Sequence, residues 1–190
     1  MRGRVVVVAL LVGLVVVGSP TAAWALWTAT GSTGSSTTFG KPAGALSGTA
    51  DMTVTFSSTV RSMTKPVTLQ NTGNIAATTV TSVTVVSGSS AALAQAVDVV
   101  AWPVTSSASC ADATPVGAGS VSGTWASLPS LSSTLEPGAS AVWCTRSTVR
   151  DTAPASSTAN VVVGLTVQRG GWTSAAVSGG FYLNTAAAGS

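Results

Sequence analysis

Short segments of this chain alternate apolar with polar residues, and this alternation constrains the fold more than any other feature. In the segment 159–168, Val161, Val163 and Leu165 fall on one side of a pleat. An alternation with period two and many β-branched residues predicts β-strands rather than helices. The strands predicted on this basis are 52–56, 66–70, 78–86, 97–104, 139–149, 159–168 and 172–183.

Turn-forming residues separate the predicted strands. The pairs Pro137-Gly138 and Gly170-Gly171 are typical of turns, because proline fixes φ and glycine accepts a positive φ. A helix is the minority prediction, at 91–97. Strands of this length and spacing predict an all-β fold, a single β-sandwich of about seven to nine strands.

The first residues of the chain have the composition of an export signal. Arg2 and Arg4 precede an apolar run at 5–17, and a Gly-Ser-Pro break separates this run from Ala-Trp-Ala at 23–25. The run is shorter than the roughly 20 residues that a membrane-spanning helix needs. We therefore expect a secretory signal peptide with a signal helix rather than a permanent anchor.

Cleavage is predicted between Ala25 and Leu26, although a second small-x-small sequence at 21–23 offers an alternative site. No further apolar span follows, so we expect signal peptidase as a partner during export and no stable membrane span afterwards. The predicted organisation is a signal peptide over 1–25, a flexible Gly/Ser/Thr-rich N-terminal arm over 26–46 and the β-sandwich domain over 47–185.

The mature chain is predicted to be almost uncharged. The full sequence has 8 Lys and Arg against 5 Asp and Glu, and loss of Arg2 and Arg4 with the signal lowers the net charge from +3 to +1. The remaining cations are scattered, whereas nucleic acid requires a clustered basic face, so no nucleic-acid partner is expected. Low charge and high β-propensity favour self-association or an extracellular or cell-envelope partner.

Residue types that carry out catalysis are scarce in this sequence. The chain has no histidine, which excludes Ser-His and Cys-His nucleophiles and His-ligated zinc or haem. Its acidic residues stand apart, without the paired carboxylates of glycosidases or the spacing of a calcium loop. We therefore predict a non-enzymatic protein with no catalytic residue, metal or cofactor. The acidic residues are Asp51, Asp98, Asp112, Glu136 and Asp151.

The chain has two cysteines, Cys110 and Cys144. An even number of cysteines in a chain predicted to be exported predicts a disulfide bond. Cys144 falls on a predicted strand, whereas Cys110 lies in a segment without strand periodicity at 105–137. This segment is predicted to be a long loop or an irregular edge hairpin at 120–126, and the bond would tie it to the sheet. The alternative is two separate buried thiols.

Trp125 and Trp172 are the tryptophans that we expect to be exposed, and both are candidate ligand contacts because exposed rings stack on sugar faces. The alternative is that both are structural, since large aromatic side chains usually belong to the core or cover a sheet edge.

The border of the signal resembles a known family. The sequences Ala23-Trp24-Ala25-Leu26-Trp27-Thr28, Thr38-Phe39-Gly40 and Gly44-Ala45-Leu46 resemble the secreted TasA/camelysin group, with a SipW-type signal peptide, and its actinobacterial relatives. The resemblance implies an extracellular β-sandwich of Ig-like or jelly-roll type that polymerises into surface or matrix fibres. In such fibres the mature N-terminal segment of one subunit adds a strand to the next. The two cysteines and the low charge depart from the family.

We predict a secreted bacterial structural protein of the extracellular matrix or cell surface that does not act as an enzyme. Its assembly arm would be Leu26, Trp27, Thr28, Ala29 and Thr30, whose uncharged side chains suit pairing with an open sheet edge of another copy. An alternative role for Leu26 and Trp27 is recognition by the peptidase alone. The alternative function is a monomeric secreted binding module that presents the 105–137 loop to a glycan or protein ligand.

Overall fold

The computed structural model describes residues 39–188, and the compact unit that contains the sandwich begins at Gly40. The described part has eleven strands, one α-helix and two 3-10 turns. In chain order these are β1 (Gly44–Ser47), a turn (Ala50–Met52), β2 (Val54–Phe56), β3 (Ser62–Asn71), β4 (Ala77–Val85), α1 (Ala91–Gln95), β5 (Val97–Val104), a turn (Ser107–Ser109), β6 (Val121–Thr124), β7 (Ser132–Leu135), β8 (Ser140–Val149), β9 (Thr158–Arg169), β10 (Trp172–Thr173) and β11 (Val177–Thr185).

The strands form two sheets that pack face to face. Sheet A has the order β1-β3-β8-β5-β6, and sheet B has the order β2-β11-β9-β4-β7, with β10 also paired to β9. All pairings are antiparallel except that of β2 with β11, which is parallel. The predicted all-β sandwich is therefore confirmed.

The strand order is immunoglobulin-like. The neighbours β1-β3-β8-β5 occupy the positions of A-B-E-D, and β11-β9-β4-β7 occupy those of G-F-C-C′. The connectivity differs from an antibody domain at one point, because β7, in the C′ position, follows β5, in the D position, along the chain. The strand number exceeds the predicted seven to nine because the chain adds several strands of only two to four residues.

One hydrophobic core lies between the sheets. Along β9, Val161, Leu165 and Val167 are fully buried and alternate with outward-facing residues, as period two predicts. Phe181 and Leu183 of the neighbouring β11 are buried in the same way. The alternation in the sequence therefore reports which face of each strand packs inward.

The predicted strand at 52–56 is only partly correct. Met52 belongs to the 3-10 turn Ala50–Met52, and this turn directs its side chain into the core, where it is fully buried. Just before this turn Gly48 adopts a φ of +89°, and a Cβ there would lie 2.3 Å from the carbonyl oxygen of Pro66, so only glycine fits. The turn moves the chain from β1 in sheet A to β2 in sheet B.

The segment 172–183 forms two strands rather than one. Ser174 interrupts it, since its backbone N–H donates to the Val167 carbonyl at 2.9 Å and its Oγ accepts from the Val167 N–H at 3.0 Å. The hydroxyl thus replaces a backbone carbonyl, and regular pairing with β9 resumes only at Val177.

Three short strands lie in segments that the sequence assigned to irregular structure. β7 lies inside the predicted 105–137 loop and pairs with β4, while the predicted hairpin at 120–126 is instead an edge strand, β6, paired with β5. β1 pairs with β3 from Gly44 onward, within the last residues of the predicted arm. The helix prediction at 91–97 corresponds to α1, which Ser90 caps by accepting from the Leu93 N–H at 3.2 Å.

The signal peptide, its cleavage between Ala25 and Leu26 and the assembly residues 26–30 lie outside the described residues. Within 39–188, no helix has the length and apolar character needed to cross a membrane.

Candidate functional site: an incomplete sheet edge

Sheet B contains a strand that is longer than its edge partner. β11 has nine residues, but β2 has three and pairs only with Leu183, Asn184 and Thr185. On this side of β11, the stretch 177–182 has no strand partner among residues 39–188. The edge of sheet B is therefore incomplete over the first two thirds of β11.

The hydrogen bonds of β11 show which backbone groups face this open side. Tyr182 donates its backbone N–H to Thr53 Oγ1 at 3.2 Å, and Ala186 donates to the Phe56 carbonyl at 2.8 Å, so even-numbered residues face β2. Because backbone groups alternate in direction along a strand, the N–H and C=O of Ser178 and Gly180 face the same side. No hydrogen bond reaches them there from the described part of the chain.

Two glycines at this edge have different explanations. A Cβ at Gly179 would lie 2.1 Å from Oγ1 of the buried Thr49, so packing within the chain requires a glycine. A Cβ at Gly180 would meet nothing closer than the Val161 carbonyl oxygen at 3.6 Å, an ordinary contact. Packing within the described chain therefore does not require a glycine at position 180. A glycine within a strand is typical of a place where another backbone approaches closely.

The opposite edge of sheet B is also incomplete, but a connecting segment closes part of it. β7 pairs with residues 77–80 of the nine-residue β4. Beyond it, the Thr81 N–H donates to the Leu131 carbonyl at 3.1 Å, and the Leu131 N–H donates to Thr81 Oγ1 at 2.8 Å. Leu128, from the same segment, packs against the core. The edge along β11 is thus the more accessible of the two.

The four strands at the sheet edges lack the residues that usually block strand addition. Natural proteins protect edges with lysine or other charges, with proline or by keeping edge strands short. β1, β2, β6 and β7 contain no charged residue and no proline, and shortness is the protection that remains. Where the longer β11 extends past β2, this protection is absent.

The structure separates the two tryptophans that were predicted as ligand contacts. The prediction for Trp125 is wrong: its side chain is 1% exposed, its ring meets Phe181 edge-on at 4.8 Å between centroids, and its Nε1 donates to Ser147 Oγ at 3.0 Å. The segment after β6 turns this ring into the core, which local sequence does not reveal. Trp172 is exposed on β10, as predicted, and its role as a ligand contact remains a prediction.

The Cys110–Cys144 disulfide is confirmed, and it holds the 105–119 segment on the outer face of sheet A. Arg146 reinforces it by donating from Nη2 to the carbonyls of Asp112 at 2.9 Å and Thr114 at 2.7 Å. Its guanidinium also lies over the Trp102 ring, 5.1 Å from the centroid. This segment is therefore fixed in place rather than free to reshape around a ligand. The bond also indicates an oxidising compartment, extracellular or periplasmic.

Two aspartates of the described chain form ion pairs with arginines. Asp98 accepts from Arg150 Nε at 2.9 Å, and this hydrogen bond is the main reason that the pKa of Asp98 lies below its usual value. Asp151 forms an ion pair with Nη2 of Arg61. Within the described residues there is no group of three or more side chains able to hold a metal ion.

Comparisons with known proteins give only distant structural similarity. No protein-family model matches the chain, and no curated protein matches it either. One similar solved structure is the periplasmic chaperone SfaE, at 12% identity over 77% of this chain and 58% of that chain, with a TM-score of 0.36. The seventh PapD-like domain of human CEP192 is 9% identical over 81% of this chain and 97% of that chain, with a TM-score of 0.38. AvmM, which catalyses macrocyclization in alchivemycin A biosynthesis, is 9% identical over 75% of this chain and 88% of that chain, with a TM-score of 0.36. The chain spans 58% of the length of SfaE. At these TM-scores the fold assignment rests on the strand order.

Proposed function

We propose that this protein is an exported, non-enzymatic structural subunit that associates with further copies of itself by strand addition. The acceptor is the open edge of β11 at 177–182, and the donor is the arm Leu26–Thr30 of another copy. The resemblance of the signal border to the TasA/camelysin group points to the same function. The observation that carries the proposal is the set of backbone groups at Ser178 and Gly180 that have no partner among residues 39–188.

Strand addition needs an acceptor whose backbone groups are free and whose side chains do not repel a second chain. Ser178 and Gly180 are exposed, and β11 carries no charged side chain. A donor strand would receive and donate main-chain hydrogen bonds at both residues. Gly180 would let its backbone approach closely, because no side chain projects there.

The donor is suited to this edge by composition. Leu26–Thr30 reads Leu-Trp-Thr-Ala-Thr, which has no charged side chain and contains β-formers. Between residue 30 and Gly40 the chain is long enough to reach another molecule, since an extended chain spans about 3.3 Å per residue. The alternative of a binding module built on the 105–137 loop loses its aromatic contact, because Trp125 belongs to the core.

The mature chain from Leu26 onward, without an N-terminal tag, is the material for the test. Size-exclusion chromatography with light scattering and negative-stain microscopy should reveal multimers or filaments. Deletion of Leu26–Thr30 should leave a folded monomer. A mature chain that stays monomeric as its concentration rises, or a deletion variant that still assembles, contradicts strand donation by the arm.

A matched pair of variants tests the acceptor edge. Ser178→Pro removes the outward N–H, which makes no hydrogen bond among residues 39–188, and it should abolish assembly. Ser178→Ala keeps the N–H and should assemble like the parent chain. Both variants should retain the parent circular dichroism spectrum. Normal assembly of a folded Ser178→Pro protein would show that the acceptor lies elsewhere.

A further inference from the structure

A shallow cleft lies at the end of the sandwich where β9 turns into β10. It encloses about 350 Å³, near the lower end of the roughly 300–1,000 Å³ found for small-molecule sites. None of the described residues that line it is acidic. Its lining residues are Gly40, Ile75, Arg169, Gly170, Gly171 and Trp172.

Trp172 differs from the other tryptophans of the described region. Trp102 and Trp125 are each 1% exposed and Trp143 is 5% exposed, whereas Trp172 is 55% exposed. A large aromatic side chain left in water forgoes the favourable burial that the other rings obtain. The Trp172 ring is therefore available to a ligand at no cost to the core.

Arg169 is paired with Trp172 across the β9–β10 hairpin, and its guanidinium is available as well. Arg61 and Arg150 bind aspartates, and Arg146 binds backbone carbonyls. Within residues 39–188, Arg169 has no ion pair or side-chain hydrogen bond, and the guanidinium that lies over a tryptophan ring is that of Arg146. The cleft thus offers an unneutralised cation beside an uncovered aromatic ring.

The hairpin between these two residues leaves space for a ligand. A Cβ at Gly170 or at Gly171 would meet no atom within 4 Å, so no part of the described chain covers the turn. The φ of +57° at Gly170 belongs to the turn itself, which the two glycines form without strain. The approach to Arg169 and Trp172 is therefore open.

We infer that this cleft binds an anionic glycan, with one pyranose face stacked on Trp172 and a carboxylate or phosphate of the sugar paired with Arg169. The aromatic ring supplies an apolar surface for the C–H face of a sugar. The guanidinium suits a planar carboxylate or a phosphate, with which it forms two parallel hydrogen bonds. The lack of an acidic residue in the lining removes repulsion toward such a ligand. This site is separate from the strand-addition edge and does not depend on self-association.

Isothermal titration calorimetry of the mature chain tests this inference with three soluble probes: hexagalacturonate, a pentamannosyl 6-phosphate and the neutral maltohexaose. We expect at least one charged probe to bind more tightly than maltohexaose and to bind less tightly as the salt concentration rises. The two charged probes distinguish a carboxylate from a phosphate ligand. Trp172→Ala and Arg169→Gln should each weaken binding about tenfold or more, as loss of a central contact does.

Two distant variants serve as controls. Val60→Ala shortens another exposed apolar side chain, and Arg61→Gln removes a cation at a different place, so both should bind the charged probe like the parent. Failure of both charged probes to bind up to millimolar concentration would overturn the inference. Equal affinity for maltohexaose, or unchanged binding by Trp172→Ala or Arg169→Gln, would overturn it too.

Discussion

Loss of the Cys110–Cys144 bond should destabilise this protein by several kcal/mol. The bond joins residues separated by 34 positions. In the loop-entropy description, closing a loop of this length removes about 12.6 cal/mol/K from the unfolded chain, or about 3.8 kcal/mol at 25 °C. This is a large part of the roughly 5–15 kcal/mol by which domains are stable.

Urea denaturation of the oxidised chain and of the same chain reduced with a phosphine measures this difference. For an m-value of about 2 kcal/mol/M, the midpoint should fall by about 2 M on reduction. The reduced protein keeps both sulfur atoms, so it isolates the cross-link. A Cys110→Ala/Cys144→Ala variant should lose slightly more, because Cys144 is fully buried and its sulfur fills space in the parent.

The denaturation curves also test the reasoning behind the magnitude. A loss below about 1 kcal/mol would refute it, since it would mean that the unfolded chain does not gain the expected freedom when the bond is cut. A control titration of the Cys110→Ala/Cys144→Ala variant with and without reductant should give identical curves.

Three further substitutions test individual packing and charge arguments. Trp125→Phe should cost about 1–3 kcal/mol in urea denaturation, because it leaves the buried Ser147 hydroxyl without the indole donor. Gly179→Ala should cost a similar amount, about 1–3 kcal/mol, through overlap of the new Cβ with Thr49, and Thr49→Ala should restore part of it in the double variant. The pKa of Asp98 is lowered from its usual value of 3.8, mainly by the hydrogen bond from Arg150. Its carboxylate therefore stabilises the fold at a pH above 3.8, and this stabilisation is lost as the pH falls through the lowered pKa. Asp98→Asn should therefore lower the urea midpoint at pH 7 and match the parent once the pH lies below the lowered pKa.

The long strands could be predicted because apolar and polar residues alternate along them, and this alternation marks the buried face. The predicted bounds of β5 match the observed bounds, and those of β9 match to within one residue at each end. β7 was missed, because Ser-Ser-Thr-Leu has no apolar alternation and forms a strand only through pairing with β4. β1 was missed for the same reason, and its pairing with β3 supplies the hydrogen bonds that local propensity does not.

Candidate site residues were harder to predict than strands. Trp172 was predicted as exposed, and it is; Trp125 was given the same prediction and belongs to the core. Both follow turn-rich sequence, so nothing local distinguishes them. Arg169 had no signal in the sequence, since a cation at a hairpin turn is ordinary until its lack of a partner among residues 39–188 is known.

The amino-acid sequence by itself determines that this chain forms β-strands, that Cys110 has Cys144 as its one pairing partner and that histidine chemistry is excluded. These properties depend on residue types and on spacings of two, which are local. The tertiary structure alone decides that β2 covers only the end of β11, that Trp125 fills the core and that Arg169, beside Trp172, has no ion-pair partner among residues 39–188. These properties depend on which strands pair and in what register, and pairing between residues far apart in the chain is set by packing of the whole sandwich.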